Sequence, residues 1–448
     1  MQSVASWAAI WPPLTLATLA AIARRHGAQV DLIDCNVEPE ADQAMVAARV
    51  ERFNPDITVV NTSFPSIEGD AACAAAIKAA CPGTLVTGVG QFFTLLGPRA
   101  LEDYPVFDVA ITGEPEATFT ELLEHGGAAA GLAGALCREN GAVRAGPERA
   151  LIQDLDEIPL PARDLLHNAR YRLPTNGRPF TLVNAARGCP YECTFCIAAA
   201  YHGRRIRRHS TDYVLDELDW CRRELGLRDF LFWEEAFTIE REPAAALCEA
   251  LAERGWDISW ASTTRADYVE PDMLALMKRS GCFLLGLGIE SGNQAILDGA
   301  RKRERVEDMR RAAALCKTAG IKTMGHFIFG LPGETPATVR ETIRFALDLD
   351  LDYIQCYAAV PYPGTALGEL AREKGWLRSE RWADYDFGGR SILDIGTISP
   401  EEVDQARETL FRRFYFRPTY LGRQALEMLA HPGQFLQAAK FLDWIRQR

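Results

Sequence analysis

The sequence predicts an α/β protein built from two consecutive α/β domains and a mainly helical C-terminal region. Helical and strand-like patterns alternate over residues 1–130, and the same alternation resumes near residue 180 after a proline-punctuated stretch. The 448 residues also exceed what one hydrophobic core usually serves, which favours two or three domains. We therefore expect domains at 1–130 and 180–365, a connector at 131–179 and a helical region at 366–448.

The first domain has the pattern of a Rossmann-like fold, which is a parallel sheet with helices on both faces. Its predicted strands are Gln29–Asp34, Ile57–Asn61, Leu85–Gly88 and Val109–Thr112. Its predicted helices are one that Gly27 closes, followed by Ala41–Phe53, Ile67–Ala80 and Ala117–His125. Residues 1–10 make a poor first strand for such a domain, which leaves open that the first strand lies upstream of residue 1.

The second domain has six βα units, preceded by a predicted hairpin of Ala135–Arg138 and Ala142–Arg144 in the connector. Its predicted strands are Thr181–Ala185, Asp229–Trp233, Ile258–Ser262, Phe283–Ile289, Lys322–Phe329 and Tyr353–Val360. Six units are too few for a complete eight-unit barrel, so we predict a partial (β/α)6 barrel. Functional residues of such folds gather at the carboxyl ends of the strands.

Composition and charge exclude several classes of protein. A 48% hydrophobic and 25% charged sequence is ordinary for a globular protein, and the net charge of −12 argues against a broad nucleic-acid-binding surface. Residues 4–23 are largely apolar, but no Lys or Arg precedes Arg24, and Pro12-Pro13 would break a spanning helix. We therefore expect no signal peptide, no transmembrane segment and a cytoplasmic location.

Three of the twelve cysteines, Cys189, Cys193 and Cys196, lie within eight residues directly after the first predicted barrel strand. This spacing lets one loop wrap a 4Fe–4S cluster, and three thiolates leave one of the four irons open for another ligand. Structural zinc is an alternative, with His202 or His209 as a fourth ligand, although zinc prefers paired Cys-x-x-Cys units. Chance is the other alternative. The nine remaining cysteines are scattered singly and are expected to be small buried side chains.

The motif Cys-x-x-x-Cys-x-x-Cys, with the aromatic Phe195 before its last cysteine, resembles the signature of the radical S-adenosylmethionine superfamily. Further collinear stretches resemble its subgroup with an N-terminal cobalamin-binding domain, which includes cobalamin-dependent radical methyltransferases and proteins like the anaerobic magnesium-protoporphyrin ester cyclases. They are residues 12–14, 108–116, 158–164, 288–292, 330–335, 361–365 and 414–418. The resemblance implies a cobalamin-binding type of Rossmann-like domain followed by a radical S-adenosylmethionine barrel.

The resemblance also implies residues that contact S-adenosylmethionine. Glu234 and Glu235 end the second barrel strand, where the family places acidic groups near the ammonium of the methionine moiety; a solvated loop end is the alternative. Glu290 matches the family's ribose-contacting carboxylate, with a structural ion pair as the alternative. Arg265 is expected to hold the methionine carboxylate, with a surface salt bridge as the alternative.

The adenine contacts implied by the resemblance are the backbone and apolar groups of Phe327, Ile328 and Gly330, with ordinary strand packing as the alternative. The basic run at 204–208, which follows the cysteine motif, is interpreted as a solvated segment that flanks a helix. An anionic substrate or the negative charge of the cluster is its alternative partner.

Cobalamin binding rests on the same resemblance. The family's equivalent loops place Thr62, Ser63, Gly88, Gly90, Gln91, Gly113 and Glu114 at the cofactor. The two glycines near residue 90 are expected to permit close approach of the backbone to a large ligand. No histidine of the sequence fits the Asp-x-His-x-x-Gly motif that supplies a lower axial ligand in the familiar cobalamin domain. Gln91 stands where relatives often have histidine.

The resemblance implies reductive cleavage of S-adenosylmethionine to a 5′-deoxyadenosyl radical, and cobalamin-dependent C-methylation of an unactivated carbon. A ring-forming or rearranging enzyme of the magnesium-protoporphyrin ester cyclase type is the main alternative. A tRNA methylthiotransferase and a non-enzymatic metal-stabilised binding module are weaker alternatives. The implied partners are a small-molecule substrate, by analogy a hydrophobic one, and a reducing electron donor, without nucleic acid.

Overall fold

The computed structural model describes residues 10–38 and 42–430. The prediction for residues 1–10 therefore lies almost entirely outside the described residues. No helix within the described ranges is both long enough and apolar enough to cross a membrane.

The first sheet has five strands in the order β1-β2-β3-β4-β5, of which the first three pair in parallel and the last two form an antiparallel hairpin. The strands are β1 (Ile57–Asn61), β2 (Leu85–Val89), β3 (Val109–Ile111), β4 (Ala135–Glu139) and β5 (Ala142–Ala145). The helices of this part are α1 (Leu14–Arg25), α2 (Gln43–Phe53), α3 (Ile67–Ala80), α4 (Gln91–Leu96), α5 (Pro98–Asp103) and α6 (Pro115–Glu124). The alternation confirms the predicted α/β domain.

Two features of this domain differ from the prediction. Gln29–Asp34 forms no strand, and the Asp31 and Asp34 carboxylates accept the backbone N–H groups of Leu32 and Asn36 at 2.9 and 3.0 Å. Such side-chain acceptors compete with the ladder hydrogen bonds of a strand. The predicted hairpin forms, but β4 pairs with β3, so the sheet continues beyond residue 130.

The second sheet has six strands, all paired in parallel, in the order β13-β12-β11-β10-β9-β6. The strands are β6 (Phe180–Val183), β9 (Asp229–Phe232), β10 (Ser259–Thr264), β11 (Cys282–Glu290), β12 (Lys322–Phe329) and β13 (Tyr353–Ala358). A short separate hairpin consists of β7 (Ala186–Arg187) and β8 (Arg207–Arg208). Six parallel strands in sequence order confirm the predicted partial barrel.

Helices cover the outer face of this barrel, where alternate strand residues pack in one large buried cluster. The helices are α7 (Ala198–His202), α8 (Thr211–Glu224), α9 (Arg241–Arg254), α10 (Pro271–Arg279), α11 (Gln294–Gly299), α12 (Val306–Ala319) and α13 (Pro336–Asp348). The C-terminal helices are α14 (Ala366–Lys374), α15 (Pro400–Tyr415) and α16 (Pro418–Ala430). Helix α15 packs beside β13, where the Tyr415 hydroxyl accepts the Ile354 N–H at 3.0 Å and donates to its carbonyl at 2.9 Å.

Helix α1 is buried on two sides and joins the two sheets. Ala17 and Ala20 share a buried cluster with inner-face residues of the barrel strands, namely Leu182, Leu231, Ala261, Leu284 and Met324. Leu19, Ile22 and Ala23 belong instead to a cluster with β2, β3 and α6 of the first sheet. The bottom of the barrel is therefore closed by a helix that also packs on the first domain.

Candidate functional site

The cysteine loop is held in place by backbone hydrogen bonds at both of its ends. The Cys189 N–H donates to Gly203 O at 3.2 Å, and the Thr194 N–H donates to Ala300 O at 3.0 Å. Gly188 has φ +101°, and a Cβ at this position would overlap the carbonyl of Arg205. The loop is thus held by the backbone of the segment between α7 and β8 and by that of the segment after α11.

The three thiols of the loop, on Cys189, Cys193 and Cys196, line one cavity together with Phe195. In the part of the chain that the structure describes, no three His, Cys, Asp or Glu side chains are close enough to hold a single metal ion. Both histidines of the zinc alternative face carboxylates: His202 Nδ1 lies 3.5 Å from Glu114, and His209 Nδ1 lies 3.1 Å from Asp156.

Glu234 and Glu235 follow the end of β9 and line the same cavity. Glu234 is buried: its Oε2 accepts a hydrogen bond from Arg208 at 3.1 Å, and its Oε1 makes no hydrogen bond among the described residues. Burial raises the pKa of the Glu234 carboxyl to about 7, against the opposing charge of Arg208. Glu235 is half-buried, and its charge acts on Cys189 and Cys196. The free oxygen of Glu234 is a ready acceptor for a cationic ligand.

Glu290 ends β11 with φ +61°, a left-handed conformation that is rare for a residue with a side chain. Its Oε1 accepts a hydrogen bond from Lys302 Nζ at 2.9 Å, and the same ammonium lies 3.1 Å from Glu304 Oε2. All three side chains are at least nine-tenths buried. The ion pair expected as the alternative for Glu290 is therefore present, and Glu290 still lines the cavity.

Arg265 is buried, which excludes the surface salt bridge expected as its alternative. Its guanidinium donates to Asp267 at 3.1 and 3.0 Å and to the carbonyls of Lys302 and Arg303 at 2.9 and 3.2 Å. It also lies over the ring of Tyr191, with Cζ 3.6 Å from the ring centroid. Two of these four hydrogen bonds hold the segment that carries Lys302, and the other two bind Asp267.

The residues predicted to contact adenine lie in different surroundings from the acidic residues Glu234, Glu235 and Glu290. Phe327 is fully buried in the outer cluster between the strands and their helices, and Ile328 packs against the same cluster. Gly330 adopts φ +90° at the loop that follows β12, where its N–H donates to Glu334 at 2.6 Å. The Phe327 side chain points away from the barrel interior because residues alternate between the two faces of a strand. Its predicted apolar contact is therefore wrong for the side chain.

The cavity that the cysteines line has a volume of about 2170 Å³ and extends from the barrel interior to the first domain. This exceeds the roughly 300–1,000 Å³ of ordinary ligand pockets. From the first domain, Thr62, Ser63, Gly90 and Gln91 reach it at the ends of β1 and β2. The Thr62 hydroxyl is buried, and its hydrogen bond to the Asp70 carboxyl opposes the rise in pKa that burial causes there. The space and the polar loop fit a large, amide-bearing cofactor such as cobalamin.

Packing within the protein requires glycine at Gly88 and Gly90. A Cβ at Gly88 would overlap the ring of Phe93, and one at Gly90, with φ +111°, would overlap the carbonyl of Thr62. Close approach of a ligand to this loop stays a prediction. Gly113, with φ +71° and nothing within 4 Å, is strained for other residues by its backbone alone.

Glu114 connects the two domains through ion pairs with arginines. Its carboxylate accepts hydrogen bonds from Arg207 at 2.7 and 2.8 Å, lies 3.4 Å from Arg187, and accepts the Ile152 N–H at 3.1 Å. Burial raises the pKa of Glu114, but hydrogen bonds from His202 and Arg207 and the charges of Arg187 and Arg207 outweigh it and hold the pKa far below its usual range. Glu114 lines the cavity but is engaged by the arginines of the β7–β8 hairpin.

The same geometry corrects the interpretation of the basic run at 204–208. Arg207 is buried on Glu114, and Arg208 lies between Glu234 and Glu240 at 3.1 and 2.8 Å. Only the first part of the run, including Arg204, is exposed. Sequence spacing alone does not show which charges of a basic run meet a buried carboxylate.

Two cavity residues were missed by the sequence analysis. Lys302 lies in an irregular segment after α11, and His326 lies on the inner face of β12. His326 Nδ1 is 3.3 Å from the Tyr357 hydroxyl, and burial lowers the pKa of its ring against the opposing effect of a hydrogen bond with Gln355. Period-2 alternation from the buried Phe327 was the signal that could have placed His326 inside the barrel.

Comparison with known families assigns both domains. Residues 183–346 match the model of the radical SAM superfamily, and residues 3–123 match the B12 binding domain. An uncharacterized methyltransferase of Pyrococcus horikoshii is 32% identical over 431 residues, which cover 96% of this chain and 92% of the relative. The chain belongs to the radical SAM superfamily and carries a B12-binding domain; it is an enzyme of that class.

More distant relatives and solved structures agree with this fold. The anaerobic magnesium-protoporphyrin IX monomethyl ester cyclase of Rubrivivax gelatinosus is 27% identical over 92% of this chain and 75% of its own. The radical S-adenosylmethionine methyltransferase TsrM from Kitasatospora setae, solved with cobalamin and a [4Fe-4S] cluster bound, superposes with a TM-score of 0.69. It is 18% identical and covers 83% of this chain and 77% of its own. The cobalamin-dependent S-adenosylmethionine radical enzyme OxsB has a TM-score of 0.65 at 20% identity, over 90% of this chain and 54% of its own.

Proposed function

We propose that this enzyme methylates an unactivated carbon of a small molecule in a cobalamin-dependent radical reaction. The observation that carries the proposal is the single cavity, which the cysteine loop lines on the barrel side and Thr62, Ser63 and Gln91 line on the first-domain side. When bound, the cluster supplies the electron that cleaves S-adenosylmethionine to a 5′-deoxyadenosyl radical, and cobalamin supplies the methyl group. The methyltransferases among the relatives support this choice.

In this proposal Cys189, Cys193 and Cys196 hold the cluster and leave one iron for the amino and carboxylate groups of S-adenosylmethionine. The free Oε1 of Glu234 would accept a hydrogen bond from an N–H of the amino group, with Glu235 adding negative charge. Glu290, fixed by Lys302, faces the ribose. Arg265 supports the segment after α11 and does not itself bind the methionine carboxylate, because most of its donors are engaged.

On the opposite wall, the Thr62, Ser63 and Gln91 side chains offer hydrogen bonds to the polar edge of cobalamin. The positions of Thr62, Ser63 and Gln91 in the lining of the cavity support this assignment. Gly90 lets the loop turn against Thr62 and brings Gln91 to the cavity. An amide and two hydroxyls would thus hold the cofactor on this side of the cavity.

The substrate we propose is a small molecule with an apolar part. Trp233 and Phe387 line the cavity and remain 52% and 47% exposed, which is unusual for large aromatic side chains. Trp11 packs edge-on against Trp233 at 4.8 Å, and Tyr357 packs against Phe387 at 5.1 Å. Such aromatic edges on two sides of the barrel mouth favour burial of an apolar group between them.

A ring-forming reaction is the second candidate, and the magnesium-protoporphyrin ester cyclases among the relatives favour it. Both reactions require cleavage of S-adenosylmethionine in the same cavity. They differ in a by-product: methylation consumes a second S-adenosylmethionine to recharge the cobalamin and releases S-adenosylhomocysteine, whereas ring formation does not.

The test uses the full chain, purified anaerobically, reconstituted with iron, sulfide and hydroxocobalamin, and desalted. Retained cobalamin is quantified, and 5′-deoxyadenosine and S-adenosylhomocysteine are measured after addition of S-adenosylmethionine and a strong reductant, which replaces the electron donor. Near-stoichiometric cobalamin with both products supports methylation. Cobalamin with 5′-deoxyadenosine alone favours ring formation, and an absence of 5′-deoxyadenosine contradicts both candidates.

A further inference from the structure

Lys302 is a fully charged ammonium in a buried position. Only 7% of its side chain is exposed, and its Nζ lies 2.9 Å from Glu290 and 3.1 Å from Glu304. Burial lowers the pKa of Lys302, but the charges of Glu290 and Glu304 outweigh it and raise the pKa above its usual value. Burial of a charged lysine is energetically unfavourable unless it is paired. The two carboxylates therefore stabilise Lys302 in this position.

The backbone around Lys302 is arranged to permit this pair. A Cβ at Gly288 would lie 2.7 Å from Lys302 Nζ and 2.8 Å from Glu290 Oε1, so only glycine leaves room for both groups. Arg301 and Arg303, which flank the lysine, have φ +53° and +55°. Left-handed conformations on both sides of one side chain indicate a segment that tertiary contacts hold in a strained shape.

The segment is also attached to the cysteine loop. The carbonyl of Ala300, two residues before Lys302, accepts the Thr194 N–H at 3.0 Å, and Thr194 follows Cys193 directly. Lys302, Glu290 and Cys193 also line the same cavity. The lysine is therefore paired with the carboxylate at the end of β11, on a segment that is hydrogen-bonded to the cysteine loop.

We propose that Lys302 is a positioning residue that fixes Glu290 for S-adenosylmethionine and raises the reduction potential of the cluster bound at Cys193. The inference rests on the proposed function, since it requires that Cys193 binds the cluster. A nearby positive charge stabilises the reduced, more negative cluster, and net local charge is one of the factors that set cluster potentials. Glu304 pairs with the same ammonium and carries a negative charge, so it lowers the reduction potential of the cluster.

Two substitutions separate this role from simple structural support. Lys302→Met keeps the length of the side chain and removes its charge, whereas Glu304→Gln removes a negative charge, leaves the 2.9 Å Lys302–Glu290 pair in place, and keeps an oxygen for the Ala266 N–H. We expect the midpoint potential of the cluster to become more negative in the first variant and less negative in the second. Loss of packing alone would not shift the potential in opposite directions.

The measurement is a potentiometric titration of the reconstituted full-length enzyme, followed by electron paramagnetic resonance, with the dissociation constant of S-adenosylmethionine measured in parallel. Lys302→Met should weaken binding of S-adenosylmethionine on the order of tenfold, because Glu290 loses its buried partner. Glu304→Gln should leave it within about threefold. Arg303→Gln, which removes a positive charge from an exposed neighbouring side chain, is the matched control and should change neither quantity.

Potentials of both variants that equal the wild-type value, or shifts of the same sign, would overturn the inference. A wild-type chain that assembles no cluster with a radical-SAM type signal contradicts the proposed function instead, so the two failures are distinguishable. If Lys302→Met does not fold, Glu304→Gln still tests the sign of the effect, and Lys302→Arg should restore a near-normal potential.

Discussion

The Glu114 carboxylate of the first domain accepts two hydrogen bonds, at 2.7 and 2.8 Å, from the guanidinium of Arg207 on the hairpin that flanks the cysteine loop. The exposed fractions of the two side chains are 2% and 3%. Ninety-three residues separate them in the sequence. The cofactor domain and the cysteine loop are therefore connected by a buried, bidentate ion pair.

Breaking this pair should destabilise the protein. Arg207→Met leaves Glu114 buried with fewer partners and should lower the free energy of unfolding by about 3–5 kcal/mol. Denaturant unfolding of the purified protein measures this. The exposed pair Arg24–Asp164, at 2.8 Å, provides the control, since Asp164→Asn should change stability by about 0–1 kcal/mol. If both substitutions lowered the free energy of unfolding equally, the interdomain pair would contribute no more to stability than an exposed pair.

Removal of one thiol of the loop should abolish cluster assembly. Cys193→Ala leaves two thiolates for a cluster that needs three, so iron and sulfide content and the cleavage of S-adenosylmethionine should fall to background. Cys316→Ala, a fully buried cysteine of α12, is the control and should retain both. Cleavage at wild-type level in Cys193→Ala would remove this cysteine from the ligand set.

Binding of S-adenosylmethionine should depend on pH through Glu234. Burial raises the pKa of this carboxyl to about 7, so it is mostly neutral at pH 6 and mostly ionised at pH 8. An ionised carboxylate is the stronger acceptor for the N–H groups of the methionine amino group, so affinity should rise roughly tenfold between these pH values. Titrations at several pH values test this, and Glu234→Gln should flatten the profile. Glu253→Gln, on the exposed side of α9, should leave the profile unchanged.

Gly88 should matter for stability and not for the cofactor. Gly88→Ala forces a methyl group against the buried ring of Phe93 and should lower the free energy of unfolding by about 1–3 kcal/mol. Gly83→Ala, with nothing within 4 Å, should be within about 0.5 kcal/mol. Cobalamin retained per folded molecule should stay the same in both. A variant of normal stability that loses cobalamin would restore the ligand-approach explanation for Gly88.

The regular elements were largely predictable because their signals are local. The helix Ile67–Ala80 and the strand Lys322–Phe329 have the predicted bounds, since periodicity and flanking turn residues define them within the segment itself. The cysteine motif was equally readable, because three ligands lie on one loop. Gln29–Asp34 was predicted wrongly, because its apolar pattern carries no information about the acceptors that its own aspartates provide.

The long-range part of the site was not predictable. Glu114 was assigned to the cofactor by its motif, whereas the structure engages it with Arg207, and no feature of either segment indicates that pairing. Lys302 was missed because it lies in an irregular segment, where side-chain direction follows from unusual backbone angles and not from a period. Phe327 was placed by its motif on the wrong face, although alternation along its strand was available.

Helix α1 has a consequence for how this enzyme can be divided. Because Ala17 and Ala20 cover the lower end of the barrel while Ile22 packs on the first sheet, the residues that close the bottom of the cavity belong to the first helix of the first domain. A barrel expressed from residue 180 onward would be open at its lower end. Leu231 and Met324 would face water there, and solvent and oxygen would gain a second entrance. The two domains thus enclose a single cavity. Chimaeras that exchange the first domain therefore need to keep this helix together with the barrel.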